Sequence, residues 1–387
     1  MRAPLAAVVL AVACGGGPSY DGTPGQPQPV SFPSLIPVAP VTIDGTTARS
    51  YGLDTGSPGT LVDVGSYPGR PLGNGTAAVG VLGLRVPDVS VQTGNYFAGD
   101  GALGGLVGAN VLSAFAFSLD YKGARAWLSD PFAAAALPAD LGVGAEVDLP
   151  FALIGADRVL VQIAIEGHAP VWALVDTGAT AVTLEPGLVA ELGDAAGRPH
   201  LDGLQVITVY GQMDGYWTRV WRVAAADASV DDVEAIVVPG STLFTALSLE
   251  TQRPVRALLG GKFLRSFATT IDYQAGMVRL ARYLDPTHID PDEWIGPGFR
   301  ATLSGVDWTI TTVYPGSDAA AKGVLVGDEL RMVDGTATTG LPSDAVDALL
   351  RDRQVGSSLT VELVRADQTI VVQILVEDLL PHYPPPT

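Results

Sequence analysis

Basic residues are scarce in this chain of 387 residues. Lysine and arginine together number 22, against 41 aspartates and glutamates, which gives a formal net charge of −19. Proteins that bind nucleic acid present a basic surface that neutralises phosphates, and no basic stripe of that kind is present in the sequence. The composition therefore predicts that nucleic acid is not a partner.

Cysteine and histidine are also too few to support several kinds of site. Cys14 is the single cysteine, so no intrachain disulfide is available. The four histidines, at positions 168, 200, 288 and 382, lack the clustering that metal ligands need. The glycine-rich segment 99–104 matches a dinucleotide-binding fingerprint, but that fingerprint has meaning only within a βαβ unit, and this region is β-rich. We therefore predict no metal ion and no organic cofactor.

Long apolar runs are absent beyond the N-terminus, because no later segment has the 18 or more apolar residues of a transmembrane helix. At the N-terminus, Arg2 precedes a short apolar run, 5–13, that ends at Cys14 and three glycines. This order is typical of a secretory signal. With a cut just before the cysteine, residues 1–14 resemble a bacterial lipoprotein signal. An ordinary secretory signal, cut near Ala13, is the alternative.

The lipoprotein resemblance implies an acylated Cys14 that anchors the protein to a bacterial membrane. The protein would then be extracytoplasmic, facing the periplasm or lying at the cell surface. The following residues, 15–29, are rich in glycine, proline and polar side chains. Such a composition predicts a flexible tether between the anchor and the folded part.

Turn-forming and β-prone residues are abundant. Glycine and proline number 46 and 29, which favours many turns over long helices. Runs such as 159–163 and 369–374 carry the β-branched side chains that are enriched in strands. The length allows two to three domains, so a mainly β, multidomain protein is expected.

A duplicated pattern divides the central part of the chain. Leu53-Asp54-Thr55-Gly56-Ser57 is matched by Val175-Asp176-Thr177-Gly178-Ala179. An apolar-apolar-Gly segment follows each copy, ending at Gly108 and Gly260, and an Asp-Tyr pair begins 12 residues after each of these glycines. The second copy carries about 30 more residues between its Asp and its Gly than the first. Three ordered matches with one shared spacing predict a duplicated β-domain.

Two equivalent loops, each carrying an aspartate, suit the hydrolysis of peptides by an activated water. Two carboxyl groups about 3 Å apart do not both ionise readily, so they can share one proton. The ionised carboxylate then takes a proton from water, and the protonated carboxyl group donates a hydrogen bond to the substrate carbonyl. Asp54 and Asp176 are the candidates for this pair.

These residues resemble the pepsin and retropepsin superfamily of aspartic peptidases, over about 30–283. The resemblance implies two lobes, 30–131 and 145–284, with Asp54 and Asp176 as the catalytic dyad. It also implies supporting roles for the loop residues: hydroxyl groups that lock the loops together, glycines that allow tight turns, and glycines that mark the segments beneath the loops. These are Thr55 and Thr177, Gly56 and Gly178, and Gly108 and Gly260.

A flap, the hairpin that closes over substrate in this family, is harder to identify in the sequence. In the second lobe the best candidate is 209–212, in which Tyr210 and Gly211 would contact a bound peptide. In the first lobe, Gly73-Asn74-Gly75 is a candidate for a vestigial turn.

The segment 296–380 differs in character from the two lobes. The residues Pro315-Gly316-Ser317, Gly323 and Gly327-Asp328 resemble the core of a PDZ domain of the bacterial peptidase-associated type. That resemblance implies an α+β domain which binds an extended chain end by β-augmentation. Gly298 and Phe299 would lie in its peptide-binding loop. The proline-rich tail, 381–387, is expected to be disordered.

The sequence therefore predicts a mainly β protein with two tandem retropepsin-like β-barrel lobes, followed by a PDZ-like α+β domain. The predicted activity is that of an aspartic endopeptidase acting on protein or peptide substrates, as a monomer whose lobes pair within one chain. A non-catalytic peptide-binding or scaffold lipoprotein with inert lobes is the alternative. A further variant assembles its active sites between two chains.

Overall fold

The computed structural model describes residues 19–67, 69–96, 103–131, 137–154, 157–193, 197–208, 211–285 and 294–385. The predicted signal segment and Cys14 lie outside the described residues. Strands account for 50% of the structure and helices for 13%, so the protein is mainly β. Within the described ranges, no helix is both long and apolar enough to cross a membrane.

The first lobe is made of strands, one short α-helix and two 3₁₀ turns, Pro33–Leu35 and Val64–Ser66. Its elements are β1 (Asp21–Gly22), β2 (Gln28–Pro29), β3 (Val38–Ile43), β4 (Arg49–Leu53), β5 (Thr60–Asp63), β6 (Gly73–Val81), β7 (Leu84–Gly94), β8 (Gly105–Val107), α1 (Ala109–Leu112), β9 (Ala116–Asp120) and β10 (Arg125–Ser129).

A closed barrel forms the body of this lobe. Its strands follow the order β7-β5-β8-β4-β3-β6, and pairing between β6 and β7 closes it. Side chains alternate between the two faces of a strand, and accordingly Leu84, Val86, Val89 and Val91 of β7 are buried. Asp88, at φ 53, shifts the alternation by one residue, as a β-bulge does. The alternating apolar residues therefore fill the inside of the barrel.

The second lobe repeats these elements and adds others. Its elements are β11 (Val143–Pro150), β12 (Ala152–Ile154), β13 (Arg158–Ile165), β14 (Val171–Val175), β15 (Val182–Leu184), α2 (Pro186–Leu192), β16 (His200–Thr208), β17 (Gly211–Ala225), β18 (Ala228–Val237), α3 (Leu243–Thr251), β19 (Val255–Leu259), α4 (Gly261–Leu264), β20 (Phe267–Asp272) and β21 (Met277–Tyr283).

The barrel of the second lobe has the same strand order as that of the first. It runs β13-β14-β19-β15-β18-β17, and pairing between β13 and β17 closes it. The connection after the first strand of each barrel turns at equivalent residues with positive φ, Asp44-Gly45 and Glu166-Gly167, as a type I′ turn requires. The inserted residues form α2, β16 and α3. The predicted duplication is therefore a duplication of the barrel itself.

A shared sheet joins the lobes within one chain. Its order is β11-β21-β20-β9-β10-β2, so strands of the second lobe continue directly into strands of the first. At the junction, β9 and β20 are antiparallel and pair Ser118 with Thr270, whose hydroxyl oxygens lie 2.8 Å apart. The predicted fold class, mainly β with two tandem retropepsin-like lobes, is confirmed.

The segment predicted as a flexible tether, 15–29, differs from the expectation in its described part. Asp21–Gly22 pairs with β7, and Gln28–Pro29 pairs with β10. The Tyr20 ring also packs against Phe115. Backbone pairing and this aromatic contact outweigh the glycine and proline content, so the segment from residue 20 onward belongs to the first lobe.

The C-terminal domain is α+β. Its elements are β22 (Ile295–Gly296), β23 (Phe299–Ser304), β24 (Asp307–Val313), α5 (Asp318–Ala321), β25 (Glu329–Val333), β26 (Thr336–Ala337), α6 (Ser343–Arg351), β27 (Ser358–Arg365), β28 (Gln368–Leu375) and β29 (Glu377–Asp378).

Its main sheet has the order β23-β24-β25-β27-β28, with β26 on β25, and β22 pairs separately with β29. Val346 and Leu350 of α6 share a buried core with Phe299 and the inner residues of the sheet. Two motif residues act structurally. The Ser317 hydroxyl accepts a hydrogen bond from the Ala320 amide and caps α5. Asp328 is buried and accepts two hydrogen bonds from Arg365.

The end of the chain fastens this domain to the second lobe. The Trp294 ring lies 5.0 Å from that of Trp217, centroid to centroid. Arg219 Nε donates to the Leu380 carbonyl over 2.8 Å, and the Tyr383 amide donates to Asp232 over 3.0 Å. The tail is therefore packed on the lobe as far as Tyr383, and the expectation of disorder is wrong for residues 381–383.

Candidate active site

Each Asp-Thr-Gly loop follows a strand that ends at the junction of the lobes. β4 leads into Asp54 and β14 leads into Asp176. β8 and β19 run parallel beside these strands, and their last residues accept hydrogen bonds from the two aspartate amides, at 2.9 and 3.2 Å. Both aspartates are thereby fixed by the backbone at the same point of their lobes.

Gly108 and Gly260 lie directly beneath these loops. A Cβ atom on Gly108 would stand 2.3 Å from the Gly59 carbonyl oxygen, and one on Gly260 would stand 2.3 Å from that of Ala181. No side chain fits such a distance, because the backbones of the two segments are already in contact. This close approach is the physical reason for the apolar-apolar-Gly pattern.

Thr55 and Thr177 link the two loops in a symmetric arrangement. Thr55 Oγ1 donates to the Val175 carbonyl over 2.8 Å and accepts from the Thr177 amide over 3.1 Å. Thr177 Oγ1 donates to the Leu53 carbonyl over 2.6 Å and accepts from the Thr55 amide over 3.1 Å. Both side chains are fully buried, so these hydrogen bonds hold the lobes in register at the dyad.

The carboxyl groups of Asp54 and Asp176 lie next to each other where the two loops meet. Each also lies against the glycine of the opposite loop. A Cβ atom on Gly56 would stand 2.4 Å from Asp176 Cγ, and one on Gly178 would stand 2.4 Å from Asp54 Cγ. Both glycines are therefore required because the opposing carboxyl group occupies the space that a side chain would need.

The hydrogen bonds that the two carboxyl groups accept from the backbone are unequal. Asp54 Oδ1 accepts from the amides of Gly56 and Ser57, over 2.8 and 3.0 Å. Asp176 Oδ1 accepts from the Gly178 amide over 2.9 Å, whereas the Ala179 amide donates to the Asp176 main-chain carbonyl. Amide donors favour an ionised carboxylate, so the first lobe stabilises the charged form more.

Burial and mutual repulsion shift the pKa values of both aspartates. Desolvation raises the pKa of Asp54, and the Ser57 and Gly56 amides oppose that rise. Desolvation and the charge of Asp54 raise the pKa of Asp176 well above its ordinary value. Two carboxyl groups whose pKa values are both raised in this way favour a state in which they share one proton.

Solvent reaches the dyad from one side. Asp54 is 8% exposed, while Asp176, Gly56 and Gly178 are each half-buried. The carboxyl groups of the dyad are therefore not completely sealed from water.

Arg158 is a charged group near the dyad that the sequence analysis missed. It is 2% exposed on β13 and carries an ion pair to Glu250, and its charge lowers the pKa of both aspartates against the effect of burial. An arginine at the head of the apolar run 159–161 is the sequence signal that could have revealed it.

The flap candidate falls within a hairpin of the second lobe. β16 and β17 pair antiparallel, from His200 with Thr218 to Thr208 with Gly211. Tyr210 lies outside the described residues, and Gly211 begins β17. In the first lobe, Gly73–Gly75 is the paired start of β6, so the turn expected there is absent.

Gly298 and Phe299 lie far from the dyad in sequence, at the start of β23. Gly298 has a φ of 79°, and its carbonyl accepts from the Tyr314 amide and from the Ser317 hydroxyl. Phe299 is buried in the domain core. Over the described part of the chain, no three His, Cys, Asp or Glu side chains stand close enough to hold a metal ion.

The sequence match to a known protein family lies in the second lobe. Residues 161–263 match a family model described as an aspartyl protease. The match includes the Asp176-Thr177-Gly178 loop and Gly260. No curated protein matches the chain.

Several solved structures are similar in part. The aspartic proteinase from Irpex lacteus is 12% identical with a TM-score of 0.44, and the match covers 69% of this chain and 99% of that one. A retropepsin-like aspartic protease from Rickettsia conorii is 16% identical with a TM-score of 0.27, over 36% and 91%. The photosystem II D1 C-terminal processing protease is 28% identical with a TM-score of 0.22, over 25% of this chain and only 28% of that protease. In the sequence of its second lobe, the chain is thus similar to the aspartyl proteases.

Proposed function

We propose that this protein is an aspartic endopeptidase whose active site is formed by the two lobes of one chain. The observation that carries the proposal is the close approach of two carboxyl groups from equivalent loops, each lying against the glycine that belongs to the opposite Asp-Thr-Gly loop. A non-catalytic scaffold has no need for two buried acids at this distance, because an unpaired buried charge is costly. Asp176 is only half-buried, so water can reach the pair.

The unequal backbone hydrogen bonds assign the two roles. Asp54, with two amide donors, is the ionised base that takes a proton from the attacking water. Asp176 is the protonated acid that donates a hydrogen bond to the scissile carbonyl. The water oxygen bonds to the carbonyl carbon, and the proton held by Asp54 then passes to the amide nitrogen as the C–N bond breaks. The products are a carboxylic acid and an amine, with the dyad restored.

Cleavage of a mixed peptide library tests the activity. Wild type is compared with Asp176→Asn and Asp54→Asn from about pH 3 to about pH 7, where a shared-proton dyad would be active. We expect wild-type cleavage, and a loss of at least about a hundredfold in each variant. Circular dichroism shows whether the variants are folded. A folded wild type that cleaves no peptide at any pH would favour the peptide-binding scaffold.

The β16–β17 hairpin serves as the flap in this proposal, with Tyr210 and Gly211 in contact with the bound peptide. It is supported by the position of the candidate residues between two paired strands. Tyr210→Ala is expected to raise KM more than it lowers kcat, because it would remove binding contacts and leave the dyad intact. Asn74→Ala in the first lobe is the matched control and should leave both constants unchanged.

Substrate binding by the C-terminal domain completes the proposal. β23 pairs with β24 on one edge, and among the described strands its other edge has no partner. An extended peptide can add to such an edge, with its terminal carboxylate at the backbone amides of the preceding loop. The domain also contacts the flap hairpin, since Tyr314 packs with Leu201 and Trp217. A peptide bound at β23 would therefore be held beside the lobe that carries the flap.

Gly298→Ala tests this role by fluorescence anisotropy with labelled peptides. A Cβ atom at this position would stand 2.4 Å from Ser317 Cβ, at a φ that already disfavours a side chain. Gly305→Ala is the control, because Gly305 has a similar φ of 70° but open space around it. We expect peptides with a free C-terminal carboxylate to lose affinity for the Gly298 variant alone. Equal binding of amidated peptides would contradict recognition of the chain end.

Membrane anchoring through an acylated Cys14 remains part of the proposal, with the active site facing the periplasm or the cell exterior. Its support is the order of residues around Cys14 in the sequence. Cys14→Ser in a bacterial host is expected to move the protein from the membrane fraction to a soluble fraction. A protein that stays in the membrane fraction after this substitution would contradict the anchor.

A further inference from the structure

The two aspartates have different neighbours across the first hairpin of each lobe. In the second lobe, β13 and β14 pair Leu160 with Leu174. Two further steps of the same antiparallel register bring Arg158, the first residue of β13, opposite Asp176. Opposed residues of a ladder project from the same face of the sheet. A buried arginine therefore stands beside the aspartate of the second lobe.

The first lobe has no charge at the equivalent position. There, β3 and β4 pair Val38 with Gly52, and the Leu53 amide donates to the Pro37 carbonyl over 2.8 Å. The next step of the register brings Ile36 opposite Asp54. The same barrel thus places an apolar side chain in one lobe and a cation in the other, so the cation is not a requirement of the barrel fold.

Arg158 is also connected to the region inserted in the second lobe. Its Nη1 lies 2.6 Å from Glu250 Oε2, and Glu250 is on α3, which has no counterpart among the described residues of the first lobe. The Arg158 side chain is 2% exposed, whereas that of Glu250 is 47% exposed. A buried cation next to a carboxyl pair and a half-exposed anion next to that cation form a short chain of alternating charge.

The other titratable groups around the dyad are few. Tyr121 and Tyr273, which follow β9 and β20, are close enough for the charges of Asp176 and Asp54 respectively to act on them. Asp157 accepts a hydrogen bond from the Ser113 hydroxyl and also acts on Tyr273. None of these groups carries a positive charge. Arg158 is therefore the cation that bears on both aspartates.

We infer that Arg158 is a positioning residue which sets the pH range over which the dyad holds a single proton, and that Glu250 moderates it from the inserted helix. This inference rests on the proposed peptidase function. The positive charge stabilises the ionised carboxylate, so it favours loss of the first proton from the doubly protonated pair. Glu250 partly neutralises that charge, which limits the effect.

The direction in which each substitution moves the pH–rate profile follows from this arrangement of charges. Without Arg158, the doubly protonated, inactive pair persists to higher pH, and both limbs of the pH–rate profile move to higher pH. Without the charge of Glu250, the arginine acts more strongly, and both limbs move to lower pH. Two neighbouring substitutions are thus expected to shift one profile in opposite directions, which a purely structural role would not do.

The experiment measures kcat/KM of the full chain against pH, from about pH 3 to about pH 8, so that both limbs are covered. Arg158→Met is expected to move the acid limb to higher pH, Glu250→Gln to lower pH, and Arg158→Lys to leave it near the wild-type position. If both limbs stay in place in folded Arg158→Met and Glu250→Gln, the inference is wrong. If Arg158→Met does not fold, the half-exposed Glu250 decides the result alone.

A titration of the dyad by carbon NMR, with aspartate labelled at its carboxyl carbon, separates this inference from the proposed activity. Loss of signals in Asp54→Asn and Asp176→Asn assigns the resonances. An inactive wild type whose dyad titration moves in opposite directions in the two variants would sustain the role of Arg158 and overturn the peptidase. An unchanged titration would overturn the role of Arg158, whatever the activity.

Discussion

The two lobes share one barrel and differ in what surrounds their aspartates. Six strands follow the same order in each, and the Thr55 and Thr177 hydrogen bonds are mirror images of each other. The first lobe gives its aspartate two amide donors and an apolar neighbour. The second gives its aspartate one amide donor and a buried arginine. The duplicated barrel therefore gives the dyad a symmetric frame, while the groups around each aspartate make the two carboxyl groups unequal.

The inserted elements follow the same division. α2, β16 and α3 all lie in the second lobe, and the C-terminal domain packs on that lobe through Trp294, Tyr314 and Leu380. The first lobe keeps little beyond the barrel and its strands of the shared sheet. Contacts that could select a substrate have thus accumulated on one side of a symmetric dyad, while the other side retains the minimal frame.

The largest expected effect comes from the two loop glycines, each of which contacts the aspartate of the opposite lobe. Gly56→Ala would push Asp176 out of place and Gly178→Ala would push Asp54, because a Cβ atom would stand 2.4 Å from the carboxyl carbon in each case. A displacement of about 1 Å at reacting groups costs roughly a hundredfold in rate. We expect losses of at least that size, measured as kcat/KM.

Gly59→Ala is the control for both substitutions, since nothing lies within 4 Å of a Cβ atom at that position. It should keep nearly full activity. A loss of activity in only one of the two loop variants would show that the two lobes do not hold the dyad equally, although their geometry is symmetric.

The loop threonines are expected to have the next largest effect, this time on stability. Thr55→Val or Thr177→Val removes one hydroxyl and leaves a buried carbonyl and a buried amide without partners. Each unsatisfied group costs about 1–3 kcal/mol, so the free energy of unfolding should fall by about 2–4 kcal/mol in either variant. Urea unfolding measures it.

Thr55→Ser and Thr177→Ser keep the hydroxyl and serve as controls that should lose much less. The two valine variants should be equally destabilised, because the hydrogen bonds are symmetric. A clear difference between them would mean that the lobes do not contribute equally to the junction.

Substitutions of the two aspartates, in contrast, should change the free energy of unfolding by different amounts. Burial raises the folded-state pKa of Asp176 well above the ordinary value of 3.8. The protonated carboxyl group therefore contributes fully to stability below the ordinary pKa, and this contribution is lost as the pH rises through the folded-state pKa. Asp176→Asn removes this loss and should raise the free energy of unfolding near neutral pH by about 1–2 kcal/mol. The gain should vanish in acid.

Asp54→Asn should give a smaller gain, since the Gly56 and Ser57 amides stabilise the ionised form that it would lose. Thermal unfolding of wild type and both variants at several pH values checks the order. A larger gain for Asp54→Asn would reverse the assignment of base and acid.

Much of the two-lobe fold around the dyad was predictable from the sequence, because short motifs that recur in the same order specify it. The Asp-Thr-Gly loops, Gly108 and Gly260 recur in the same order, and the excess length of the second copy correctly located the inserted elements. Arg158 stands out in the sequence at the head of an apolar run, but its position beside Asp176 was not predictable, because it lies 18 residues earlier and only strand register brings the two together. The contacts of Gly56 and Gly178 with the opposing aspartates depend on the distance between lobes, which no local pattern encodes. The packing of residues 20–29 and of the tail arises from long-range pairing that their composition conceals.

The smallest expected effect concerns Tyr121 and Tyr273, which occupy equivalent places in the two copies. Both are buried, and neither hydroxyl has a hydrogen-bond partner among the described residues. Each ring does pack on a phenylalanine, Phe32 or Phe151. Burial raises the pKa of both phenols, and the aspartate of the opposite lobe adds to the rise. These hydroxyls therefore stay neutral and contribute little to the free energy of unfolding.

Tyr121→Phe and Tyr273→Phe should change the free energy of unfolding by less than about 1 kcal/mol, because each removes a desolvated hydroxyl without breaking a hydrogen bond within the protein. Their pH–rate profiles should match that of wild type, in contrast to Arg158→Met, since a neutral phenol does not favour either protonation state of the dyad strongly. A shifted profile in one of the two variants would show that the phenol of that lobe acts on the dyad. The asymmetry of the lobes would then extend beneath the active site as well as around it.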